Sequence, residues 1–215
     1  MPPLATRLLC TLLLPLTLLL ASCGESEEHA LARIATMAQT NPSGAQSEIV
    51  ILWRSGTITL NGAINLAHDK VEKNQPGCLA MAQVTLGATS DLNAEVEKKG
   101  VNEFYWMRVG SLAGKSARIA YDAGDIPTAR SLVLAGPPSW KNDNFWRQFP
   151  NHDALASYIL HASGETREAL NRLNGRPDLD PSVEQAIQDI QAAQRADAAK
   201  AAAIAAEEAK RKKAK

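Results

Sequence analysis

Cysteine, aromatic residues and β-branched runs are all scarce in this chain, and each shortage excludes something. Three cysteines, at 10, 23 and 78, are too few and too scattered to staple 215 residues, so no disulfide framework is expected. Cys78, inside Gly77-Cys78-Leu79-Ala80-Met81-Ala82, reads as a small buried hydrophobe in preference to a redox centre. His29, His68, His152 and His161 form no His-x-x-x-His pair and have no cysteine beside them, so no metal site is legible. There is no Gly-x-Ser-x-Gly elbow and no carboxylate pair in apolar surroundings, and the expectation is a protein that is not an enzyme. Aromatics make up 5% of the chain and β-branched runs are rare outside Ile49–Ile51, while alanine is abundant. That balance favours helices and an all-α fold.

The formal charge sums to zero over the whole chain but not along it. Residues 195–215 carry seven Lys or Arg against three Asp or Glu, and residues 23–194 carry 15 against 20. A mildly acidic body therefore ends in a basic tail.

The longest apolar run is N-terminal. Arg7 precedes fourteen Leu-dominated residues, Leu8 to Ala21, interrupted by Cys10, Thr11, Pro15 and Thr17. A membrane-spanning helix needs about 20 apolar residues, so this length suits the core of an export signal. Small residues at Ala21 and Ser22 open the backbone to a protease just before Cys23. Leu20-Ala21-Ser22-Cys23, followed by Gly24, resembles the lipobox of bacterial lipoproteins. The resemblance implies cleavage between Ser22 and Cys23, diacylglycerol on the Cys23 thiol and acylation of the new amino terminus. The covalent lipid would be the only added group, with no other cofactor, and several acyl chains at about 0.8 kcal/mol per buried CH₂ would hold the protein on a lipid bilayer. The plainer alternative is an ordinary secretory signal with Cys23 a simple thiol. Cys10 is no substitute, because the apolar core follows it. In lipoproteins of enteric bacteria an aspartate after the lipidated cysteine marks inner-membrane retention, so by the same resemblance Gly24 implies the outer membrane, with the protein facing the periplasm.

Removing residues 1–22 leaves 193 residues, read as a lipidated tether (23–28), a helical-hairpin domain (29–194) and an Ala/Lys-rich tail (195–215). A tether so short places the body close to the bilayer. Leu31, Ile34, Ala35 and Ala38 share a helical face that ends at Asn41-Pro42. Residues 45–60 admit two readings, a strand hairpin around Arg54-Ser55-Gly56 or a buried helix stopped by Gly56. The stripe Leu60, Ala63, Ile64, Ala67 and Val71 favours helix. Leu79 to Leu86 continues as helix, Ser90 or Asp91 is placed to cap the next, and Lys99-Gly100 ends it.

From Asn102 to Ala123, Tyr105, Val109, Leu112, Ser116, Ile119 and Ala123 recur at helical spacing, with Gly110, Ala113, Gly114 and Ala117 between them. Gly124-Asp125 stops that helix and Pro127 opens another bearing Ala129, Leu132 and Val133. The pattern recurs: Asp153 to Ala162 with Leu155, Ile159 and Ala162 inward, a stop at Gly164-Glu165, then Ala169, Leu170 and Leu173, and a fresh start at Asp180-Pro181. Here residues 111–181 resemble tetratricopeptide repeats. Gly124-Asp125-Ile126 and Gly164-Glu165-Thr166 match the inter-helix turn, Ala129 and Ala169 the small packing position, and Pro181 the terminal proline. The repeat is about 34 residues long, and Gly56, Ser90 and Gly124 are spaced 34 apart. The two matching units instead lie 40 apart, and the early aromatic of the repeat is missing from both. The resemblance implies a short α-solenoid of helical hairpins that binds a protein partner.

Between the two units, residues 138–150 hold Trp140, Phe145, Trp146, Arg147 and Phe149. Trp and Arg dominate interface hot spots, which makes Trp140, Phe145, Trp146 and Arg147 candidate partner-binding residues. The competing reading is a short helix whose aromatics plug the core between hairpins. Gly110-Ser111-Leu112-Ala113-Gly114-Lys115-Ser116 imitates a phosphate-binding loop but has Val109 where the first glycine belongs; its glycines read better as helix-packing positions. Beyond Asp180-Pro181, Val183, Ile187 and Ile190 make a stripe that fades after Gln194, leaving alanine and charge as far as Lys210, Arg211, Lys212, Lys213 and Lys215. This tail reads as a solvated helix, or as an electrostatic contact with an anionic surface worth about 1 kcal/mol per basic residue near charged lipid.

The expected function is a non-catalytic, lipid-anchored scaffold of the bacterial cell envelope that recruits one or more envelope proteins and no nucleic acid. Two alternatives are kept: an envelope enzyme or small-ligand carrier, and a tether acting through its basic tail.

Overall fold

A computed structural model describes residues 25–100, 103–135, 150–173 and 181–213. All the regular structure among them is helical. The helices are α1 (Glu27–Thr40), α2 (Pro42–Ser55), α3 (Leu60–Glu72), α4 (Cys78–Asp91), α5 (Asn93–Lys98), α6 (Glu103–Asp122), α7 (Ile126–Leu134), α8 (Pro150–Ala162), α9 (Thr166–Leu173) and α10 (Pro181–Lys213).

The packing is organised around α4. From Cys78 to Ser90 this helix carries no charged side chain, and Cys78, Met81, Ala82, Val84, Thr85, Leu86, Ala88 and Thr89 are all buried. A helix that is apolar on every side has no face to give to water, so others must surround it. Here α1, α2, α3, α5, α6 and α7 all touch it. Gly87 lets α2 approach closely, since a Cβ there would lie 2.4 Å from the Gln46 side chain. The amphipathic helices supply the rest of the core: Leu31, Ile34, Ala35 and Ala38 from α1, and Leu60, Ala63, Ile64, Ala67 and Val71 from α3.

Residues 45–55 are helical, and 56–59 turn the chain into α3 with no strand hairpin. Proline opens α2 at its first turn, Asn41 accepts the Gly44 N–H at 3.0 Å, and Gly56 (φ 78°) closes it.

Two hairpins follow, α6–α7 and α8–α9, and their turns are built alike. Gly124 (φ 78°) and Gly164 (φ 85°) take the left-handed conformation that ends a helix. The Gly124 and Asp125 N–H groups donate to Tyr121 and Ala120 carbonyls; the Gly164 and Glu165 N–H groups donate to His161 and Leu160. Ala129 and Ala169 are both fully buried. The second hairpin and the start of α10 share a smaller core of Ala154, Leu160, Ala169, Leu173, Val183, Ala186 and Ile190.

Several sequence expectations need correction. Ser90 and Asp91 do not cap a helix, because α4 runs through both and α5 starts from Leu92 without a side-chain cap. Ser90 therefore cannot mark a repeat boundary. Ala123 and Ala162 are exposed, and Ala120 and Ala156 point inward in their place. Glu27 and Glu28, assigned to the tether, belong to α1. Residues 181–213 form the single helix α10, whose side chains from Gln191 to Lys210 are exposed apart from half-buried Ala193. The phosphate-loop look-alike lies wholly within α6, with Gly110 and Gly114 buried.

Candidate functional site

A surface groove of about 600 Å³ lies between α3 and α6. On α3 it is lined by Asn65, His68, Asp69 and Glu72; on α6 by Phe104, Met107, Arg108, Ser111 and Lys115. The α3 set follows the i, i+3, i+4, i+7 spacing of one helical face, and the α6 set extends the same spacing by another turn. Both stripes lie beside the buried faces of their helices, and the α3–α6 contact brings them together.

His68 is half-buried, and its Nε2–H donates to the Arg108 carbonyl at 2.9 Å. Burial lowers its pKa below the ordinary histidine value, more than that hydrogen bond raises it. The imidazole is therefore neutral at neutral pH. Arg108 donates to the Asn65 side chain, Lys115 pairs with Glu72, and Lys73 pairs with Asp69. The walls thus carry both signs of charge, with one ion pair, Lys115–Glu72, formed across the groove. Phe104 stands at the rim 64% exposed, the most exposed of the large apolar side chains described.

A second feature joins the hairpins. Arg130 of α7 donates through two nitrogens to the Glu165 carboxylate in the α8–α9 turn. The Arg130 guanidinium holds the Glu165 carboxyl below the ordinary glutamate range. Asp125, at the corresponding turn position of the first hairpin, instead accepts the Thr128 N–H. Inside the second hairpin, Asp153 is fully buried, with its Oδ1 3.6 Å from Arg172 Nε.

Of the residues singled out in the sequence, Ser22 and Cys23 lie outside the described residues, as do Trp140, Phe145, Trp146 and Arg147. Lys210 is exposed on α10; the backbone of Arg211, Lys212 and Lys213 continues that helix, and Lys215 lies beyond the description. Cys78 is buried and unpaired by disulfide. Among the described residues no cluster of three or more His, Cys, Asp or Glu could hold a metal ion, and no helix is long and apolar enough to cross a membrane. The α3–α6 groove escaped the sequence reading. Its signal was a polar stripe on each of two helices, which has meaning only once those helices are known to be neighbours.

Comparisons with protein-family models, with curated proteins and with solved structures find no match to this chain.

Proposed function

We propose that this protein is a lipid-anchored, non-catalytic scaffold of the bacterial envelope, acylated at Cys23 and held on the periplasmic face of the outer membrane. Its helical hairpins present a surface to an envelope protein, and no cofactor beyond the lipid takes part. The observation that carries this reading is the α3–α6 groove. It is open, it carries two carboxylates and two cations, and an exposed Phe104 lines it with Met107. Such a surface suits a partner segment that covers the phenylalanine with an apolar side chain, because desolvated aromatic anchors contribute most of the affinity at interfaces. The acyl chains confine the scaffold to two dimensions and raise its effective concentration for that partner. The tetratricopeptide-like character of residues 111–181 draws support from the two matching turns at Gly124 and Gly164 and the buried Ala129 and Ala169.

A photo-crosslinking side chain at position 104, tested in intact cells against one at exposed Ser131, examines this reading. A discrete adduct at 104 that disappears in Cys23→Ala cells supports it. Equal, diffuse labelling at both positions rejects the groove as a docking site. A tether acting through the tail remains the second reading, because Arg195, Lys200 and Lys210 are exposed on α10. Deleting residues 195–215 abolishes function in that case and leaves it largely intact in the first.

A further inference from the structure

The start of α1 is locked to the folded body, and this decides which end of the molecule lies nearest the attachment point. Glu25 is gripped by Arg33 through two hydrogen bonds, 3.1 and 2.8 Å. Glu27 accepts the Thr59 N–H and Oγ1–H at 2.7 and 2.8 Å. Only Gly24 separates Glu25 from Cys23, so the two α-carbons lie within about 7 Å of each other. Thr59 also borders a groove of about 400 Å³ lined by Trp53, Leu60, Asn61, Val96, Lys99 and Tyr105, among others. Lys99 Nζ sits 3.9 Å above the Trp53 ring.

The geometry points to this end as a bilayer-contact surface, with Trp53, Lys98 and Lys99 seated among the phospholipid head groups of the membrane that holds Cys23. The inference rests on the acylation reading above. Tryptophan and lysine suit that zone, since each has an apolar body and a tip that stays in water or meets phosphate. Of the nearby acids, Glu25 pairs with Arg33 and Glu95 with Arg54, while Glu97 and Glu27 accept from the neutral Asn93 and Thr59 and keep their charge. Glu28 is the exposed acid of the first turn. Lys98 and Lys99 are both exposed at this end. The opposite end begins at Thr40, about 20 Å away along α1, and there Ser43 is exposed.

The test uses the signal-cleaved, lipidated protein, which lacks Cys10, bearing Asn61→Cys or Ser43→Cys, each labelled with a fluorophore. Acylation blocks Cys23 and burial protects Cys78, so the introduced thiol takes the label. The proteins are reconstituted in phosphatidylethanolamine–phosphatidylglycerol vesicles containing a lipid with a head-group quencher. Several-fold stronger quenching at position 61 than at 43 is expected. Equal quenching, or stronger quenching at 43, in proteins that float with the vesicles overturns the orientation and leaves the anchor standing. Failure of both proteins to float, with no lipid mass on Cys23, overturns the anchor reading and this inference with it.

Discussion

Glu27 and Thr59, 32 residues apart in sequence, tie the first turn of α1 to the first turn of α3. One carboxylate oxygen, Oε1 of Glu27, accepts both the Thr59 N–H and its hydroxyl, while the Thr59 hydroxyl accepts the Gly62 N–H at 2.9 Å. Helix starts leave N–H groups without partners, and here a residue of one helix completes the cap of another. Gly62 belongs to the same arrangement, because a Cβ there would lie 2.3 Å from Glu27 Oε1.

The Glu27–Gly62 pair predicts a non-additive mutant cycle. Glu27→Ala should cost about 1–2 kcal/mol, the scale of a lost cap. Gly62→Ala alone should give little or no stabilisation, since its helix-propensity gain is offset by displacement of Glu27. In the Glu27→Ala background the same change should stabilise by about 1 kcal/mol. Urea melts of the four proteins measure the coupling, and strict additivity would contradict the geometry.

Thr85 sits fully buried on α4, and its hydroxyl has no hydrogen-bond partner among the described residues. Thr85→Val keeps the shape and removes a polar group that burial penalises. It should raise stability by about 1 kcal/mol, seen as a higher melting temperature. A loss of similar size would mean that the hydroxyl is satisfied by something that valine cannot replace.

Acid should loosen the exposed ion pairs together. The carboxyls of Glu25, Glu72, Glu95 and Glu165 are each held below the ordinary glutamate value of 4.5 by a hydrogen-bonded Arg or Lys. A depressed folded-state pKa contributes stability that is present above the unfolded value and lost as pH falls through the folded one. Melting temperature should therefore decline below about pH 4.5. Comparing Glu165→Gln with the parent across this range isolates one pair: a small deficit at pH 7 should vanish by pH 3. These groups lie in water, so each effect is small.

Truncation of α10 should separate its two parts. Deleting residues 195–215 removes exposed helix and should leave the melting temperature unchanged while lowering helical circular dichroism. Deleting 186–215 also takes Ala186 and Ile190 from the smaller core. That should cost about 3 kcal/mol or more, the scale of losing one large buried aliphatic side chain.

Local chemistry determined much of this protein by itself. The stripe on α3, the stop glycines at 56, 124 and 164 and the prolines at the starts of α7 and α10 can all be read from residue type and spacing, because each acts within one or two turns. Burial of Cys78 followed from its apolar neighbours in the same way. What only the tertiary structure decided is which stripes meet. The uncharged stretch from Cys78 to Ser90 announces burial in the sequence, yet its place at the centre of six helices depends on contacts between residues far apart in the chain. The α3–α6 groove and the Glu27–Thr59 cap belong to the same class: their polar side chains look solvated on their own helices and acquire partners only when a second helix arrives. Ser90 shows the converse, since spacing offered it as a boundary and the burial of its neighbours carried the helix past it.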